Sequence, residues 1–243
     1  MNKRKSLLQG LPAALLVLSA AISIYAQNTG DVKHNARPQQ AAAASTANGE
    51  SKADAVKYTY EFSQPKFYVK HITIEHDANG RGTVTFERLN EDTPVTEPLE
   101  LSPDALARIN AAWQGLRFLE SDTNYQANKQ FPHLGTIRIG MQRGDRKRVA
   151  EFNWTNNSDA ETLINEYRKA ADQAILIFDI SIARENQPLN APKLLEGMES
   201  LLKRNALSDP RQLLKLLHDL STDEHIPLIA RNHALRLIKK IEK

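Results

Sequence analysis

Two alternating runs, His71-Ile72-Thr73-Ile74-Glu75-His76 and Thr83-Val84-Thr85-Phe86-Glu87-Arg88, flank the segment Asp77-Ala78-Asn79-Gly80-Arg81-Gly82, and this stretch decides the fold. Apolar and polar side chains alternate through both runs, so each buries one face and wets the other. The six residues between them tolerate positive φ and suit a tight turn. The stretch therefore predicts a β-hairpin with Tyr68, Ile72 and Ile74 on its buried face.

Working outward, Tyr58-Thr59-Tyr60-Glu61-Phe62 has the same alternation and predicts a strand before the hairpin. After it, Asn90 to Pro98 reads as a polar loop and Leu99 to Leu101 as a short edge strand. Ser102-Pro103-Asp104 combines a capping hydroxyl, a first-turn proline and an acid suited to the helix dipole. Leu106, Ile109, Ala112, Trp113, Leu116 and Leu119 then recur at helical spacing. A second hairpin follows, Gly135 to Met141 and Lys147 to Trp154, turning across Arg143-Gly144-Asp145. Ser158-Asp159-Ala160-Glu161 reads as a capping box opening a helix to about Arg184. Its later turns, Ala174 to Ile182, are apolar nearly all round and predict cover from two neighbours. From Pro188 the pattern is helical throughout, with helices over 192–205, 209–220 and 226–241. The order β-β-β-α-β-β-α predicts an α+β fold: a mainly antiparallel sheet of five to six strands with packed helices, followed by a C-terminal helical cap.

The N-terminus differs from this in kind. Asn2-Lys3-Arg4-Lys5, the apolar run Leu11 to Ile22 and the small residue Ala26 read as an export signal over residues 1–26. The apolar run is shorter than the roughly 20 residues of a membrane-spanning helix, so no span is expected after cleavage. Residues 27–57 contain no Leu, Ile, Met or aromatic residue and read as a disordered, low-complexity linker. The expected units are then an α+β domain over 58–186 and a helical segment over 187–243. Removing Lys3, Arg4 and Lys5 takes the formal charge from +3 to zero, so no nucleic-acid footprint is expected. The chain has no cysteine. Disulfides, thiol catalysis, thiolate zinc sites and cysteine-held clusters are excluded. The expected location is periplasmic or extracellular.

Two resemblances add to this reading. Leu214-Lys215-Leu216-Leu217-His218-Asp219-Leu220, continued by Asp223, Ile229, Arg231, Ala234, Leu237 and Ile241, resembles a single HEAT repeat. That resemblance implies protein–protein contact; one unit cannot stand alone as a solenoid and is expected to cap the first domain. Ile74, Gly80, Val84, Leu101, Ser102, Leu106, Phe118, Tyr125, Ile137 and Val149 match the layout of an uncharacterised class of exported bacterial α+β domains over about 66–176. That resemblance implies a fold and no chemistry.

Candidate chemistry is sparse. The chain has no nucleophile elbow, no phosphate-cradling glycine loop and no dinucleotide fingerprint. Asp77, Asn79 and Gly82 begin like a calcium loop, but Arg81 and Arg88 stand where oxygen ligands belong. Arg143-Gly144-Asp145 is a turn former. His71, Glu75 and His76 are the most metal-like cluster, but His71 and His76 face opposite sides of the sheet; His71 and Glu75 share a face that His133 of the loop could approach, the alternative being a metal-dependent or His/Glu hydrolase. Trp113 and Trp154 are expected in the core, and Arg231 is expected to pair with Asp219 or Asp223. No cofactor is called for. The leading expectation is a non-catalytic module that binds another envelope protein or a peptide, with Tyr125, Phe131 and His133 of the long loop as first candidates. An inhibitor-type partner of an envelope enzyme is the remaining alternative.

Overall fold

A computed structural model describes residues 55–243. The expected export signal and nearly all of the expected linker lie outside the described residues. The linker's expected end is corrected, because β1 already begins at Val56.

Six strands form one sheet: β1 (Val56–Ser63), β2 (Val69–Asp77), β3 (Arg81–Arg88), β4 (Val95–Glu100), β5 (Thr136–Arg143) and β6 (Arg146–Phe152). Their order is β4-β3-β2-β1-β5-β6 and every neighbouring pair is antiparallel. The α+β reading is therefore correct, with six strands. Gly80 makes the first turn at φ 77°. β4 starts earlier than the expected Leu99 and includes Pro98, which an edge strand tolerates because its missing N–H can face water. β2 starts later than expected, at Val69, and Lys70 is bulged between Val69 and His71. The bulge re-aims the chain before it and leaves Tyr68 outside the strand.

One sheet face carries Tyr58, Tyr60, Phe62, Ile72, Ile74, Val84, Phe86, Ile137 and Ile139, all buried. The helices α1 (Pro103–Leu116) and α2 (Ser158–Asn186) cover it. Ser102 caps α1 by accepting from the Ala105 N–H at 3.3 Å. α2 is capped one residue earlier than the capping box implies: the Asn157 Oδ1 accepts from the Ala160 N–H at 2.9 Å. The opposite sheet face is polar. Lys57 pairs with Glu75 at 2.9 Å, and Arg138 with Glu151 at 2.6 Å.

A buried hydrogen-bond chain locks β2, α1 and α2 together. The Trp113 Nε1–H donates to the Tyr167 hydroxyl at 3.0 Å, and that hydroxyl lies 2.8 Å from the His76 Nε2. The indole can only donate, so the Tyr167 oxygen accepts from it and its own proton goes to His76. The Nδ1–H of His76 then donates to the Asp77 carbonyl at 2.7 Å. This arrangement is complete only for neutral His76. Burial accordingly lowers its pKa, against the opposing pull of the Asp77 carbonyl and carboxylate.

The C-terminal helices α3 (Ala191–Lys203), α4 (Leu214–Thr222) and α5 (Leu228–Ile241) enclose a second apolar cluster. Leu176 and Ile180 of α2 belong to it, whereas Ala174, Ile175 and Phe178 of α2 pack against the sheet cluster. The all-round apolar stretch of α2 is thus used on two sides. Gln173 fastens the join: it accepts from the Asp209 N–H at 3.0 Å and donates to Gln212 at 2.9 Å. Arg231 does not make its expected pair. Asp223 is taken by Arg184 at 2.6 Å and Asp219 by Lys215 at 3.0 Å, while the buried Arg231 Nε has no partner among the described residues.

Candidate functional site

α2 and the sheet do not close on each other at the end where β1 finishes and β2 starts. A cleft of about 830 Å³ remains there, a volume typical of ligand sites. Its floor is apolar: Phe62 of β1, Ile72 of β2 and Ile137 of β5. Its rim comes from the 64–68 loop and the 153–155 loop. Phe67 is 44% exposed, Tyr68 61% and Trp154 44%, and these three rings all border the cleft. The far wall is one flank of α2, with Glu161, Asn165, Arg168 and Asp172 spaced at i, i+4, i+7 and i+11.

Two of the three rim rings, Tyr68 and Trp154, are braced from behind. The Arg88 guanidinium lies 5.6 Å from the Tyr68 ring centre and 5.0 Å from that of Phe86. Arg88 is itself held by the Asp179 carboxylate of α2 and by Glu91 at 3.3 Å. Trp154 takes an edge-to-face contact from Phe131, with ring centres 5.3 Å apart. The Gln64 amide donates to the carbonyls of Pro132 and His133 at 3.1 and 2.9 Å, tying the 64–68 loop to the 132–134 turn. Gly135, at φ 94°, brings the 132–134 turn against β1; a Cβ there would lie 2.7 Å from the Ser63 carbonyl oxygen.

The cleft also perturbs its ionisable groups. Burial pushes the Tyr60 hydroxyl up to about 12, partly offset by the Arg168 guanidinium beside it. Burial raises the Asp172 carboxyl as well, against the pull of Arg168 and Arg204. Asp172 opens onto the cleft's water, so this is the effect of surrounding protein on a wet group.

The residues singled out from the sequence fall in different places. Phe131 is beside the cleft as the brace of Trp154, and His133 is an exposed residue of the same turn, its ring 6.0 Å from that of Phe131. Tyr125 is elsewhere: it is 3% exposed, stacks on Phe118 and packs against Phe152 in the core. It is therefore not a surface contact. Trp154, expected in the core, is instead a rim residue. His71, Glu75 and His133 are not brought together. His71 bridges Glu61 at 3.2 Å and Glu87 at 3.3 Å through opposite ring nitrogens, which cannot converge on one ion, and Glu75 is paired with Lys57. Among the described residues no group of three His, Cys, Asp or Glu could hold a metal ion.

Sequence reasoning missed Arg168, Asp172 and Tyr68. The α2 flank was visible as polar residues repeating at helical spacing, but nothing marked it as facing a cleft instead of open water. Tyr68 was assigned to a strand face, and the bulge at Lys70 removes it. No family model matches this chain, and comparison with curated proteins finds no significant similarity. The site's geometry thus carries the functional argument by itself.

Proposed function

We propose that this chain is an exported, non-catalytic binding module of the bacterial envelope that holds a protein segment or peptide in the cleft between the sheet and α2. The observation that carries this reading is the ring of Phe67, Tyr68 and Trp154 around an apolar floor, each ring exposed and each loop held in place. Exposed aromatic rings cost solubility when unpartnered, and clustered ones mark interaction sites. The sheet's polar face suits this role less well, because its side chains are already paired with one another. The described lining of the cleft contains no histidine or serine. Thr155, its hydroxyl residue on the rim, accepts from the Asn157 N–H at 3.1 Å and lacks an adjacent base. That chemistry fits holding better than cleaving.

The test is selection of peptides from a display library on the chain lacking residues 1–26, repeated on Tyr68→Ala and Trp154→Ala variants. Selected peptides should lose at least tenfold in affinity for both variants. Peptides that bind the variants as tightly as the parent would place binding outside the cleft and refute the proposal. Export is tested separately, by locating the processed chain in periplasmic or culture fractions.

A further inference from the structure

We infer that the cleft takes the carboxyl-terminal end of a peptide whose last residue is apolar, with Arg168 receiving the terminal carboxylate; this rests on the binding-module reading above.

Arg168 is the reason. α2 carries two arginines, and Arg184 is committed to Asp223. Among the described residues Arg168 makes no ion pair, although it projects into a cleft with an apolar floor. A guanidinium offers two parallel N–H donors that match a carboxylate. Lys66 on the opposite rim is likewise without an ion pair among the described residues and adds a second positive charge. The floor beneath is apolar, so a carboxylate and an apolar group are wanted on one short ligand.

Two further groups favour a peptide over a free apolar acid. Asn165 has no hydrogen-bond partner among the described residues. Asn153 uses its Oδ1 to accept from the Phe131 N–H at 3.2 Å, which leaves its amide N–H groups free. Planar amides beside a carboxylate site match the backbone N–H and C=O of a terminal residue. A free acid would leave both idle. The chain's own N-terminal segment is a poor occupant: it joins the sheet at Val56, the far end of β1 from the cleft, and residues 27–54 contain no aromatic residue or leucine to fill the floor. Asp172, one helical turn beyond Arg168, and Glu161 on the same flank are like charges to the ligand and limit affinity.

The experiment uses an array of N-acetylated octapeptides with free carboxyl termini, the last two positions varied through all residues, and a duplicate array ending in carboxamide. Decanoate is titrated in parallel. Free-acid peptides ending in Leu, Phe or Trp should bind at least tenfold better than their amides. Arg168→Gln should erase that difference, and Asp172→Asn should tighten the acids two- to fivefold. Peptides that bind in the cleft but equally as acid and amide, or a preference that survives Arg168→Gln, would overturn this inference and leave the binding module standing. Decanoate binding that depends on Arg168 where the peptides fail would also overturn it, in favour of a free acid. If neither array nor decanoate binds, or if Tyr68→Ala and Trp154→Ala change nothing, the cleft reading itself fails.

Discussion

Removing one oxygen atom from Tyr167 should cost far more than removing the equivalent atom from Tyr125. In Tyr167→Phe the ring remains stacked on Tyr60, 5.2 Å between centres, so packing is kept. The loss falls on two buried partners. The Trp113 indole N–H loses its acceptor at 3.0 Å and the His76 Nε2 loses its donor at 2.8 Å. Both side chains are 2% exposed, so water cannot replace the hydroxyl. Stranding a buried polar group costs about 1–3 kcal/mol, so two predict about 3 kcal/mol in total. For a body of this size that is about 6–12 °C in Tm. Tyr125→Phe makes the same chemical change where the hydroxyl is buried and has no partner among the described residues. Its removal relieves an unmet desolvation cost and should be neutral or stabilising by up to about 1 kcal/mol. Urea unfolding at pH 7.5, followed by tryptophan fluorescence, measures both. Equal costs for the two variants, or a Tyr167→Phe cost below about 0.5 kcal/mol, would refute the assigned hydrogen-bond chain.

Other outcomes follow from the same geometry. Because His76 is held neutral, its folded pKa lies below the ordinary 6.5, and the unfolded chain binds more protons between the two values. Stability should therefore be flat above about pH 7.5 and fall as pH drops below about 6.5, by at most about 1.4 kcal/mol per pH unit from this residue. His76→Gln should flatten that slope in a urea series from pH 5 to 8, and an unchanged slope would count against it. Gly135→Ala would press a methyl group within 2.8 Å of the Phe62 ring at a φ that alanine avoids. It should cost about 2 kcal/mol or more and weaken any peptide selected on the cleft; a fully stable variant would contradict the close approach. Leu195→Ala, in the fully buried centre of the C-terminal cluster, should cost about 2–5 kcal/mol. Hydrogen exchange should then speed up first in α3–α5, and uniform acceleration across β1–β3 would argue against two apolar clusters.

Much of the architecture was legible because it rests on local chemistry. Alternation in residues 71–76 and 83–88 specifies strands whichever partners they find, and Gly80 between them specifies the turn. Ser102-Pro103 specifies a helix start for the same kind of reason. Legibility faded where a neighbour distant in sequence decides. Asn157 or Ser158 could each have capped α2. Tyr68 reads as a strand residue until the bulge at Lys70 turns it outward. The site was the least legible part. Tyr125 and Trp154 are both aromatic residues at the margins of loops, yet one is sealed between Phe118 and Phe152 and the other stands at the rim with Phe131 behind it.

What the chain's letters determined unaided is the α+β class, the two hairpins and the amphipathic helices, because periodicity and turn chemistry act within a few residues. Whether a given side chain meets water, core or cleft was decided only when α2 crossed the sheet, about 90 residues downstream of the 64–68 loop it faces. That crossing leaves Arg168 over an apolar floor and seals Tyr167 between His76 and Trp113, and no pattern local to either residue encodes it.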